Sequence, residues 1–145
     1  MRLLFFALLF GSGSLCAQSP VQWSFSAKKV SDTEYDLILQ AQVDKGWFIY
    51  SQYMESDEGP IPTSFTFAPN DQYELQGETQ EDGHRKEAFD DIFGITLVKY
   101  SEEVQFTQRI LLKGALDKVS GSLDFMTCND NRCLPPTTVK FEIKW

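Results

Sequence analysis

This chain has few cysteines, one histidine, a shortage of basic residues and, past its first segment, no long apolar run. The single histidine, His84, stands among charged residues, where a solvated side chain is the ordinary state. One histidine far in sequence from two thiols falls short of a zinc spacing, so no metal or cofactor site is expected. Neither a Ser/His/Asp arrangement nor a phosphate-cradling or nucleotide motif is present. Lys and Arg number 13 against 21 Asp and Glu, a formal charge of -8. Such a surface repels phosphate backbones and anionic headgroups, which argues against binding nucleic acid or a membrane surface. After Ser19, charged or polar residues interrupt every apolar run before it reaches membrane-spanning length. No segment sustains a period of 3.6 residues, and neither repeats nor low-complexity tracts occur.

What is present begins with an export signal. Met1-Arg2 supplies one positive charge, Leu3 to Phe10 is unbroken apolar sequence, and Gly11 to Ser14 loosens the chain before Cys16-Ala17-Gln18. Cleavage after Ala17 is expected, giving residues 1–17 as signal peptide and 18–145 as one exported domain. Acylation of Cys16 as a lipoprotein would require a small residue where Leu15 stands. Cleavage removes only Arg2 from the basic side, so 12 basic residues face 21 acidic ones and the charge becomes -9. The remaining length, about 128 residues, suits a single domain with its own core.

The apolar pattern is β from end to end. Val21, Trp23, Phe25 and Ala27 alternate with polar residues, as do Tyr35, Leu37, Leu39, Ala41 and Val43. Period-two runs follow at Trp47 to Ser51, Thr63 to Phe67, Ile95 to Tyr100, Val104 to Leu112, Val119 to Phe125 and Val139 to Trp145. Turn chemistry separates them at Asp57-Glu58-Gly59-Pro60, Ala68 to Asp71 and Lys113-Gly114. About eight short strands in one domain predict an all-β, antiparallel immunoglobulin-like sandwich. The Trp and Phe stripes read as its core. Glu55, Asp57 and Glu58 read as a solvated turn rather than an ion site.

One stretch breaks the rhythm. Gly77 to Asp91 is strongly charged with little apolar periodicity, which predicts a long loop, and it leads into Ile92-Phe93-Gly94. Phe89, Ile92 and Phe93 are the apolar residues at its end, available either as core or as an exposed functional surface.

After signal cleavage only Cys128 and Cys133 remain, in an oxidising compartment, at the tip of a hairpin or the strand ends beside it. A bond between them closes a loop of about six residues, for which the chain-entropy model gives only about 2 kcal/mol. The pair is therefore either a modest staple or a redox centre. Arg132 beside Cys133 favours a thiolate, whereas Asp130 lies nearer Cys128. Asn129-Asp130-Asn131 keeps the segment polar, and Pro135-Pro136 stiffens its exit.

Four segments together carry a resemblance: Gly46-Trp47-Phe48-Ile49-Tyr50-Ser51, Gly59 to Phe65, Phe89 to Gly94, and Cys128 to Cys133 followed by Leu134-Pro135-Pro136. Their order resembles that of the N-terminal periplasmic domain of the thiol:disulfide interchange protein DsbD and of stand-alone disulfide bond corrector proteins, over essentially the whole exported chain. The resemblance implies an immunoglobulin-like fold and a periplasmic, protein-disulfide-reductase type of electron relay. Its donor would be thioredoxin-like, and its thioredoxin-fold acceptors would include disulfide isomerases and proteins of cytochrome c maturation. It further implies Cys128 and Cys133 as the redox pair, with Cys133 forming the mixed disulfide. Asp90, Asp91, Ile92, Phe93 and Gly94 would form a cap loop shielding the thiols, and Phe48 and Tyr50, on one face of a strand, would line the site.

This chain differs in having four residues between the cysteines rather than five, and Ile92 where the family carries an aromatic at the cap tip. With no membrane segment and no thioredoxin domain of its own, it is expected to act as a monomer with separate donor and acceptor proteins. The alternative, from a different class, is a noncatalytic exported binding module in which the disulfide is structural.

Overall fold

The computed structural model describes residues 18–56, 58–91 and 93–145. The expected signal segment with Cys16, together with Asp57 and Ile92, lies outside the described residues. Among those residues nine strands form: β1 Val21–Lys29, β2 Glu34–Val43, β3 Phe48–Tyr50, β4 Ser64–Phe67, β5 Tyr73–Asp90, β6 Ile95–Leu112, β7 Lys118–Phe125, β8 Thr127–Cys128 and β9 Thr137–Lys144. All pair antiparallel, in a six-stranded sheet ordered β1-β2-β6-β3-β8 with β5 also on β6, and a three-stranded sheet ordered β4-β7-β9. The chain is an all-β, immunoglobulin-like sandwich. Among the described residues, no helix is long and apolar enough to cross a membrane.

The period-two pattern places the core. Leu37, Leu39, Ala41 and Val43 of β2 and Val104, Phe106 and Ile110 of β6 point inward from the larger sheet. Val119, Leu123, Phe125, Phe141 and Ile143 meet them from the smaller one. Trp23 stands amid this layer, its ring 5.8 Å from that of Phe106 and 5.5 Å from that of Phe125. Each such side chain, fully buried, contributes about 1.5–3 kcal/mol of transfer free energy.

Two expectations are corrected. Gly77 to Asp91 is not a loop. Residues 77–90 belong to the 18-residue strand β5, whose backbone pairs with β6 from Tyr73↔Leu112 to Asp90↔Ile95, and Asp91 opens the turn that follows. An apolar period is missing because β5 is an edge strand whose few inward positions meet polar groups rather than aliphatic ones. Thr79 donates to Gln108 Oε1 at 2.8 Å, and Glu81 accepts from Ser51 Oγ at 2.6 Å, the Gln52 amide at 2.7 Å and the Tyr100 hydroxyl at 2.9 Å. His84 accordingly lies on a strand, exposed, with Nδ1 2.8 Å from Glu102.

The runs Ile95 to Tyr100 and Val104 to Leu112 are likewise one strand rather than two. Ser101-Glu102-Glu103 interrupts the alternation as a bulge, with Glu102 at φ 62° and a register shift between Gly83 and His84 of β5. A Cβ at Gly83 would stand 2.5 Å from the Glu103 carbonyl oxygen, so only glycine allows the strands to approach here. At this bulge the edge of β6 opposite β5 changes neighbour. Residues 103–111 pair with β2, and Tyr100 and Lys99 pair with β3. The bulge thus makes room for the short strands β3 and β8, which carry the thiol segment.

Candidate functional site

Alternation along β3 divides its side chains between two environments. Ile49 points into the sandwich core with Val98 and Tyr100 of β6. Phe48 and Tyr50 therefore stand on the outer face of the sheet, as the sequence pattern implied. There Tyr50, Leu97 and Cys128 form a separate buried cluster, with Phe48, Met54, Ile95 and Met126 packed against it.

The thiol segment is a small hairpin. Cys128 pairs with Phe48 of β3 and bridges to Cys133 in antiparallel fashion. The Leu134 amide donates to the Thr127 carbonyl at 2.9 Å, and the Asn129 amide to the Arg132 carbonyl at 2.9 Å. Asn129 Oδ1 holds the tip closed by accepting from the amides of Asn131 at 2.9 Å and Arg132 at 2.8 Å. This is the local side-chain turn that asparagine favours. Thr127 Oγ1 donates to the Phe48 carbonyl at 2.9 Å, tying the hairpin to β3.

Cys128 and Cys133 are joined by a disulfide, and the two sulfurs live in different surroundings. Cys128 is 1% exposed, and the Tyr50 hydroxyl donates to its Sγ at 3.2 Å. Cys133 is exposed. The Tyr50 phenol is itself pushed up to about 12 by burial and by the charge on Asp90, so it stays a protonated donor across physiological pH. Phe48 meets Tyr50 edge-on, with ring centroids 5.7 Å apart. Lys99, the cross-strand partner of Tyr50, lies 4.3 Å over the Phe48 ring and 3.7 Å from Asp90 Oδ2.

A cavity of about 370 Å³ brings the expected residues together. It is lined by Phe48, Tyr50, Asp90, Phe93, Lys99 and the whole stretch from Cys128 to Cys133, Arg132 included. Arg132 also lies 5.8 Å over the Trp47 ring. The expected cap is the turn from β5 to β6. The Gly94 amide donates to the Asp90 carbonyl at 2.7 Å, with Gly94 at φ 69°, where glycine is unstrained. Asp90 and Phe93 reach the cavity, whereas Asp91 and Gly94 do not line it. Phe89 and Phe93 are exposed rather than core, at 65% and 39%.

Sequence reading missed Lys99 and Leu97. Their own run gave them as ordinary strand residues, and only the register Tyr50↔Lys99 puts them at the site. Among the described residues no group of three or more His, Cys, Asp or Glu could hold a metal.

The family model for the thiol:disulfide interchange protein DsbD, N-terminal, matches residues 15–144. No curated protein matches the chain. Among solved structures, it is similar to the Neisseria meningitidis DsbD N-terminal domain in the reduced form, with 21% identity, a TM-score of 0.53 and 80% of each chain covered. It is also similar to that organism's DsbD N-terminal domain in complex with the PilB N-terminal domain, with 17% identity, a TM-score of 0.56, and 84% of this chain and 80% of that one covered. The N-terminal periplasmic domain of ScsB from Proteus mirabilis is similar with 19% identity and a TM-score of 0.56, over 86% of this chain and 45% of that one. At these identities the structural likeness speaks to the fold.

Proposed function

Since the chain belongs to the family of the N-terminal domain of the thiol:disulfide interchange protein DsbD, we propose that it is an exported, periplasmic exchange domain relaying two electrons through Cys128 and Cys133. A thioredoxin-like donor would supply the electrons. Thioredoxin-fold acceptors, such as disulfide isomerases or cytochrome c maturation proteins, would receive them. Residues 1–17 would be removed on export, and residues 18–145 would act as a monomer.

The observation that carries this reading is the asymmetry of the pair. One sulfur is open to an incoming protein while the other is buried and holds a hydrogen-bond donor. In the loading half-reaction, the donor's thiolate attacks Cys133 Sγ, the Cys128–Cys133 bond breaks, and Cys128 leaves as a thiolate. Its charge is stabilised by the Tyr50 hydroxyl already directed at that sulfur. The donor's second thiol then attacks the mixed disulfide, completing reduction of the pair. In the unloading half-reaction, the Cys133 thiolate attacks the acceptor's disulfide, and Cys128, losing its proton, attacks Cys133 Sγ to expel the reduced acceptor. Phe93 and Asp90, at the rim of the same cavity, would cover the reduced pair until a partner displaces them.

Single-cysteine variants test the assignment. Cys128→Ser should accumulate a mixed disulfide between Cys133 and a thioredoxin-fold protein of the exported compartment, and Cys133→Ser should not. Equal trapping by both variants refutes the roles, and trapping by neither favours the noncatalytic binding module.

A further inference from the structure

Beside the thiol cavity, the outer face of the six-stranded sheet holds a second one, of about 150 Å³. Phe48, Ala88 and Leu97 give it apolar walls, and Lys86, Lys99 and Asp130 line it as well. Phe48, Lys99 and Asp130 border both cavities, so the two are contiguous. Lys86 of β5 and Lys99 of β6 are direct cross-strand partners. Like charges set opposite each other on an antiparallel pair destabilise it, and an opposite charge is the favourable neighbour. Lys99 has Asp90 at 3.7 Å. Lys86 has no ion pair among the described residues, since the position opposite it on β6 holds Lys99 and the carboxylate beside that lysine is Asp90. Two cations thus converge on an apolar-walled hollow next to a disulfide, in a chain whose net charge is strongly negative. An anion seated there would relieve the repulsion, and apolar walls strengthen such a pairing by limiting water.

We propose that this hollow receives the carboxylate of an acidic side chain in the polypeptide that exchanges with Cys133, and that Lys86 is the contact that selects it. The inference rests on the exchange reading above and adds the chemistry of the partner. Lys86 lies on the third strand from Cys128, in the order β8-β3-β6-β5, which is roughly 14 Å at ordinary strand spacing. The lysine's own length spans part of that distance. An acidic residue about two positions from the partner's reacting cysteine, at about 3.3–3.6 Å per residue, spans the rest. Asp130, on the thiol hairpin, repels a carboxylate at the near end and leaves the lysine end as the favourable seat.

The test uses two reduced peptides, Ac-Cys-Gly-Glu-NH2 and Ac-Cys-Gly-Gln-NH2, with the oxidised domain at low salt. Each peptide thiolate attacks Cys133 Sγ and releases Cys128 as a thiolate. A second peptide molecule then attacks the mixed disulfide, giving the peptide disulfide and the reduced pair. The Glu peptide should react about two- to fivefold faster than the Gln peptide, the range of a partly exposed ion pair, despite the repulsive net charge. Lys86→Gln should bring the ratio to about one, and Lys86→Glu should invert it. Lys140→Glu, an equal change of charge at an exposed position of β9, should leave the ratio unchanged. Equal rates for the two peptides with the unaltered domain overturn the proposal, as does a Lys86→Glu ratio that matches Lys140→Glu. A preference shown only by glutathione over its diester, and not by the Glu peptide, overturns it too by assigning the hollow to a small molecule. If neither peptide reduces the disulfide, the exchange reading itself falls and this inference with it.

Discussion

The two faces of the strand pair β3–β6 make the instructive contrast. Inward, Ile49, Val98 and Tyr100 join a core that includes Leu37, Leu39, Phe106, Leu123 and Phe125 and draws on both sheets. Outward, Tyr50, Leu97 and Cys128 form a cluster of three buried residues, covered by Phe48, Met54, Ile95 and Met126. A single residue of displacement along the chain separates the two environments, because strand side chains alternate. The inner layer holds most of the buried apolar side chains, and the exchange proposed above would take place in the outer one, so each should be damaged without much harm to the other.

The largest break should come from the inner side. Phe106 is fully buried and touches the rings of Trp23, Phe65 and Tyr100, and its truncation leaves a cavity that rigid neighbours cannot fill. Phe106→Ala should cost about 3–5 kcal/mol, measured by urea denaturation. The fraction that remains folded should keep its disulfide reactivity. A loss below about 1 kcal/mol would show that the inner layer is not the main source of stability.

Removing the disulfide is the reciprocal test. In the entropy model its loop of about six residues is worth only about 2 kcal/mol. Cys128→Ser/Cys133→Ser should therefore stay folded at room temperature, with the far-ultraviolet spectrum of a β-sandwich. An unfolded double variant would make the outer cluster a structural element and favour the noncatalytic module.

Tyrosine ionisation separates the faces more finely. Burial pushes the phenols of both Tyr50 and Tyr100 up to about 12; Asp90 adds to the first, and Glu81 to the second. Because these phenols ionise at about 10 in the unfolded chain, the stability linked to them is fully present below pH 10 and is lost as pH rises from there through 12. Tyr50→Phe and Tyr100→Phe should each flatten that alkaline decline in denaturation midpoints. Tyr50→Phe alone should also slow release of Cys128 at neutral pH, by roughly ten- to a hundredfold, since a hydrogen bond to a charged group is worth about 1.5–3 kcal/mol. Equal exchange rates for both variants would remove the hydroxyl from the mechanism.

The same contrast explains what the sequence could and could not show. Strands such as Val21–Lys29 and Glu34–Val43 were legible because one face meets an apolar core, which writes a period of two into the chain. Strand β5 was not, because its inward positions meet Gln108, Tyr100 and Ser51 through hydrogen bonds, and polar partners leave no hydropathy signal. The cysteine pair, Phe48 and Tyr50 were legible from motif and alternation. The lysines opposite each other were not, since their meeting depends on the register of a strand that read as a loop. Which sulfur is buried also depends on tertiary packing; the charge of Arg132 pointed to Cys133, the cysteine that stands exposed.

The smallest effect on stability, and the sharpest on access, belongs to the turn between β5 and β6. Phe93 and Phe89 lie four residues apart in sequence and are both exposed, but only Phe93 lines the thiol cavity. An exposed side chain contributes little to folding, so Phe93→Ala and Phe89→Ala should each shift stability by no more than about 0.5 kcal/mol. Alkylation of the reduced domain by iodoacetamide should then tell them apart. Losing the Phe93 ring opens the approach to the sulfurs, and the rate should rise with Phe93→Ala and stay unchanged with Phe89→Ala, because thiol reactivity follows access as well as thiolate character. The measurement is best made above pH 8, where a larger thiolate fraction makes access the main variable. Equal rates for both variants would leave Phe93 as a bystander at the rim, and a large fall in melting temperature with Phe93→Ala would move that ring from the site into the fold.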